Sequence, residues 1–175
     1  ETIFRSGKSV IYYEALYKEF MDDFSCHRIN NVEMLKTYLT YINDGNMYLN
    51  KSYIAVNKNV TVDLADEVRN FMISYGSAIT VDELVAALSH LPEDKIKWII
   101  SGNNSKEFVW NKKGEFLHAD VVDLSQYELD LISEWISVSI DGKEYMGGKE
   151  LVDTIKQNLP SVMERYPFLT EYGLR

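Results

Sequence analysis

The chain repeats itself, and this restricts its fold more than any other feature. "ITVDELVAALSHLP" (Ile79–Pro92) aligns with "MGGKELVDTIKQNLP" (Met146–Pro160). Both carry Glu-Leu-Val, an apolar residue three positions after the Val (Leu88, Ile155), and then Leu-Pro. "IYYEALYKEF" (Ile11–Phe20) is a weaker third copy, with Glu14 where the others have Glu83 and Glu150. The downstream part repeats as well. "NKNVTVDLADEVRNFMISYG" (Asn57–Gly76) matches "LHADVVDLSQYELDLISEWIS" (Leu117–Ser137), each with Val-Asp-Leu ahead of an amphipathic stretch. Self-similarity at a near-constant period marks a chain of like supersecondary units.

The repeated unit reads in order. A first helix opens after a polar cap, Thr80 with Glu83 three residues on, which is a capping-box pattern. A break follows at Leu-Pro, then a second helix. Next come two short strands around a turn, "YLN-KS-YIAV" (Tyr48–Val56) or "EFVW-NKKG-EFLHADVV" (Glu107–Val122), where Asn and Gly suit tight turns. A linking helix, residues 64–75 or 125–137, leads into the next unit. Its apolar positions (Val68, Phe71, Met72; Leu129, Ile132, Ile136) fall at helical spacing.

Helix, turn, helix and two-stranded hairpin in this order resemble a winged-helix domain. The set is loosely similar to acidic winged-helix modules of bacterial transcription proteins. The resemblance covers nearly the whole chain as a pattern of elements and carries over no individual functional residue. It implies an α+β, mainly helical fold of three tandem units: 1–76, 77–142 and 143–175, the last truncated before its hairpin. It also implies nucleic-acid binding or a transcription-related role.

Composition limits that role. Hydrophobic residues make up 46% of the 175, and aromatics 13%, which is enough for packed cores and argues against disorder. The net charge of −9 is uneven: residues 77–142 hold five Lys/Arg against twelve Asp/Glu. An acidic middle repels a phosphate backbone. It suits a basic protein partner instead, so a protein–protein interaction scaffold is the rival reading. The single cysteine, Cys26, allows no internal disulfide and fits a reducing, cytoplasmic setting. Apolar runs such as Ile96–Ile100 are too short to span a bilayer, and "ETIFRSGKSV" shows no apolar leader segment. A start at Glu1 and an end at "LTEYGLR" suggest a piece of a longer regulatory protein.

If the units bind nucleic acid, the second helix of each is the reading helix. These are Asn31–Ile42 (Lys36, Thr37, Tyr38, Tyr41), Pro92–Ser101 (Lys95, Lys97) and Pro160–Gly173 (Arg165). Hairpin tips add Lys51, Lys58, Lys106, Lys112 and Lys113 for phosphates. No helix offers more than two cations, fewer than base readout usually employs. Tyr12, Tyr13, Tyr17, Tyr38 and Tyr41, at helical spacing, are more often packing than stacking platforms. Trp98, Trp110 and Trp135 are expected to anchor the core of the second unit and its junction with the third.

Catalytic signals are weak. Cys26-His27, His90 and His118 lack zinc-site spacing. There is no nucleophile elbow, P-loop or dinucleotide Gly pattern, and "MGGK" (Met146–Lys149) reads as a helix start. No enzyme activity, metal or cofactor is expected.

Overall fold

The computed structural model describes residues 8–102, 106–143 and 145–174; most of the N-terminal stretch discussed above lies outside them. The elements run β1 (Val10–Tyr12), α1 (Tyr13–Glu19), α2 (Met21–Cys26), α3 (Val32–Ile42), β2 (Tyr48–Leu49) and β3 (Tyr53–Ala55). They continue with α4 (Leu64–Tyr75), β4 (Ile79–Thr80), α5 (Val81–Ala87), α6 (Glu93–Ser101), β5 (Phe108–Lys112) and β6 (Glu115–His118). A 3-10 turn (Ala119–Val121) precedes α7 (Gln126–Lys143), α8 (Gly148–Asn158) and α9 (Pro160–Arg165). The fold is α+β and mainly helical, with two three-stranded antiparallel sheets.

By contacts the chain forms two compact units. One takes residues up to Val68 together with Val85–Ile99; the other takes Arg69–Leu84 with Ile100–Arg175. The segments 1–76, 77–142 and 143–175 are a division of the sequence by its repeats, a different criterion.

In the first unit the strand order is β1-β3-β2. Val10, Ile11 and Tyr12 pair with Ala55, Ile54 and Tyr53. Alternation along a strand sends successive side chains to opposite faces. Ile11, Tyr13 and Ile54 form the core, with Leu16, Val32, Leu39, Met47 and Leu49 packed on it. Asn31 starts α3: its side-chain oxygen accepts from the Met34 amide at 2.8 Å, satisfying one of the free donors of the first turn.

In the second unit the order is β4-β6-β5. The hairpin turns at Gly114, whose φ of +74° favours glycine. The register shifts between Trp110 and Lys112. This β-bulge turns Asn111 inward, fully buried. Its amide nitrogen donates to the Phe168 carbonyl (2.8 Å), and its side-chain oxygen accepts from the Thr170 amide (3.1 Å) and hydroxyl (3.1 Å). The Thr170 hydroxyl also approaches the Asn111 carbonyl. One buried side chain thus ties residues 168–170 to the sheet.

Several elements differ from the sequence reading. The third unit's second helix ends at Arg165, not Gly173, because Tyr166 precedes Pro167 and is held out of the helical region at φ −127°, ψ 62°. The returning strand ends at His118, where the ring nitrogen Nδ1 accepts from the Asp120 amide and starts the 3-10 turn. Trp98 and Trp110 are not core anchors: they are 72% and 44% exposed. On α6 the buried residues are Ile96 and Ile100, and a residue two positions from each lies on the opposite side of a helix. Trp110 gives its inward place to Asn111 and packs instead on the Tyr172 ring, 4.7 Å between centroids.

Candidate functional site

The helix α3 carries the most distinctive surface of the first unit. Its inner face is Leu35, fully buried, with Val32 and Leu39 against the core. Its outer face is a stripe at helical spacing: Met34, Tyr38 and Tyr41, the last 88% exposed. With Ile29 and Thr37 they line a groove of about 620 Å³ whose one charged member is Glu33. Water gains nothing from such a stripe, and burying it is favourable at roughly 25 cal/mol per Å². Hydroxyls of Thr37 and Thr40 donate back to carbonyls of the same helix, so neither is turned outward to seek a partner.

The cation of this helix faces elsewhere. Lys36 pairs with Glu33 at 2.7 Å and lies 5.5 Å from the centre of the Tyr13 ring. The other expected contact residues follow the same pattern. Lys97 binds Glu93 at 2.6 Å, Lys112 binds Glu115 at 2.7 Å, and Arg165 binds Glu128 at 2.6 Å. Lys95 is 3.9 Å from Asp94. Lys51 and Lys113 are exposed, with no ion pair among the described residues. Lys36, Tyr38, Tyr41, Lys51, Lys95 and Lys97 belong to the first unit; Lys112, Lys113 and Arg165 belong to the second.

Two carboxylates organise these cations: Glu93, which the sequence places at a helix start, and Glu128, which it does not single out. Glu93 receives both Lys18 and Lys97. The Lys18 ammonium, followed by that of Lys97, pulls its carboxyl down to about 2. Glu128 is buried; it accepts from Arg165 and from the amide and hydroxyl of Ser125. These bonds, Arg165 first, hold its carboxyl at about 2. The Glu93–Lys97 spacing of four was legible in the sequence. The Lys18–Glu93 and Glu128–Arg165 pairs, far apart along the chain, left no local signal.

Two buried histidines make local contacts. His90 Nε2 is 2.7 Å from the Glu67 carboxylate in the first unit. In the second, His118 Nε2 is 3.6 Å from Glu107, which Arg69 holds at 2.7 Å. No group of three or more metal-binding side chains occurs among the described residues. Among them, too, no helix is long and apolar enough to cross a membrane.

No family model matches the chain, and no curated protein or solved structure is significantly similar to it.

Proposed function

We propose that this chain is a non-enzymatic module of winged-helix-like repeats that works by docking a protein partner. Support for the repeat comes from the recurrence of strand, helices, strand, strand, with the third strand central in both sheets. The observation that carries the docking role is the outer face of α3. Where a DNA-reading helix would present cations and amides, this one presents Met34, Tyr38 and Tyr41. Aromatic and methionine side chains are enriched at protein interfaces, and charges are depleted at their centres. The pairing of Lys36, Lys97, Lys112 and Arg165 with carboxylates adds to this, since a neighbouring negative charge offsets each cation's attraction for phosphate.

The test is a photo-crosslinking side chain placed at Tyr41 of the protein in its own cells. The expected adduct is protease-sensitive and survives nuclease. A nuclease-sensitive adduct would overturn the reading. Nucleic-acid binding keeps one supporting observation, Lys51 and Lys113 at the hairpin tips, exposed and without an ion pair among the described residues. It requires a duplex mobility shift at low salt that Lys112→Glu with Lys113→Glu weakens for every sequence alike.

A further inference from the structure

We infer that the first unit carries a second docking surface, a groove that takes a basic amphipathic segment of a partner protein. The inference rests on the protein-docking reading but uses a different face from the Tyr41 stripe. The groove, of about 640 Å³, is bordered by α1, the end of α5 and the start of α6. Its floor is small and apolar: Ala15, Val85, Ala86, Leu91 and Pro92. Its rim carries four carboxylates, those of Glu14, Glu19, Glu93 and Asp94, against two lysines.

The lysines leave this acidic rim largely uncompensated. Lys18 and Lys97 both bind the same carboxylate, Glu93. Glu14 and Glu19 have no ion pair among the described residues, and Asp94 has Lys95 at 3.9 Å. The rim is therefore negative above a floor of short side chains that leave room for larger apolar ones. The occupant that satisfies both is a segment with Leu- or Met-like residues on one side and Lys or Arg on the other. Nucleic acid and acidic proteins are repelled by the rim. A small polyamine would leave the apolar floor wet. A second copy of this chain would bring the same carboxylates, and like charges facing each other oppose docking.

The probe is a fluorescent synthetic helix with leucines along one face and lysines along the other; its glutamate counterpart serves as control. Fluorescence anisotropy with the intact chain should show the lysine peptide binding and the glutamate peptide not binding. Ala86 is exposed, so Ala86→Trp fills the floor at little cost to folding. It should weaken binding by about tenfold or more, a loss of about 1.4 kcal/mol per decade. Glu14→Gln with Glu19→Gln should weaken binding by roughly threefold and flatten its salt dependence. Tyr38→Ala with Tyr41→Ala should leave it unchanged. Unaltered affinity in Ala86→Trp, or equal binding of the glutamate peptide, would overturn the groove. If only the Tyr38/Tyr41 variant loses the peptide, the groove fails while protein docking at α3 stands. A nuclease-sensitive adduct at Tyr41 would do the reverse.

Discussion

The two sheets share one strand order and are finished differently. In each, the third strand lies between the first and the second. The first is held by apolar pairing: Ile11 opposite Ile54, and Tyr12 opposite Tyr53 with ring centres 5.5 Å apart. Its hairpin is slight, with β2 only Tyr48 and Leu49. In the second the leading strand is the slight one, and the hairpin is long and bulged. The bulge spends an inward position on Asn111, whose job is to bind residues 168–170. In the first sheet the order goes with apolar burial on both strands: Val10 and Ile11 on one, Ile54 and Ala55 on its partner. The buried polar side chain is an addition that fixes one particular tail.

That contrast is broken most forcefully at its apolar end. Ile54 is 2% exposed and central to the first core. Ile54→Ala should cost about 3 kcal/mol, read by urea unfolding, with amides of β1 and β3 exchanging faster. Asn111→Ala should cost about 2 kcal/mol. It leaves the Phe168 carbonyl and Thr170 amide unpaired inside the protein, each a desolvation penalty. Exchange should accelerate first at the Thr170 amide. If Asn111→Ala left that amide protected, the bulge would not be a latch, and the two sheets would differ in length alone.

A finer test uses the glycine that meets the latch. A Cβ built on Gly173 collides with the Asn111 side-chain oxygen. Gly173→Ala should therefore cost about 2 kcal/mol through overpacking. In an Asn111→Ala background the same change should cost less than about 0.5 kcal/mol, because the oxygen it strikes is gone. Such non-additivity is the mark of direct contact. Additive losses would place the strain elsewhere.

Much of this was written in local pattern. The linking helix expected over 64–75 is α4 at those residues, and the helix expected over Asn31–Ile42 is α3 with Asn31 as its cap. The hairpins were legible from Asn, Gly and alternation. Pro167 marks the early end of α9 in the sequence, although the residues on either side of it keep a helix-like pattern. The inward Asn111 was not legible, because a one-residue bulge reverses which strand residues face the core and leaves composition untouched. The character of α3's outer face was legible only in part: the sequence offers Tyr38 and Tyr41 either as contact residues of the helix or as packing, and the side of the helix occupied by Leu35 decides that they are exposed.

Helix starts offer the same comparison at smaller scale. At α5 the Thr80 hydroxyl accepts from the Glu83 amide (3.2 Å), and the Glu83 carboxylate accepts from the Thr80 amide (3.0 Å) and hydroxyl (2.6 Å). At the matching start of α8 the cap is Gly147, with no side-chain bond. Thr80→Ala should cost about 1 kcal/mol. The Thr80 hydroxyl, then its amide, holds the Glu83 carboxyl below its usual range. The carboxylate's share of the cap is therefore complete above the ordinary carboxylate range and is lost as pH falls through that range and below. The Thr80→Ala penalty should shrink in acid; a penalty independent of pH would remove Glu83 from the cap.

The smallest effect asks whether the third copy can be given what the second has. Gly147 already has cap geometry, φ −74° and ψ 145°, and a Cβ there meets nothing within 4 Å. Glu150 stands three residues on, as Glu83 does from Thr80, but its carboxylate holds Lys143 at 2.7 Å. In Gly147→Ser the new hydroxyl should accept from the Glu150 amide and slow its hydrogen exchange. The gain should be only about 0.3 kcal/mol, since glycine is itself a fair cap. Lys143→Ala should enlarge the gain by freeing Glu150 to turn back toward residue 147. An amide unchanged in both backgrounds would mean that the two helix starts, alike in sequence around Glu-Leu-Val, have diverged in backbone beyond what one cap residue restores.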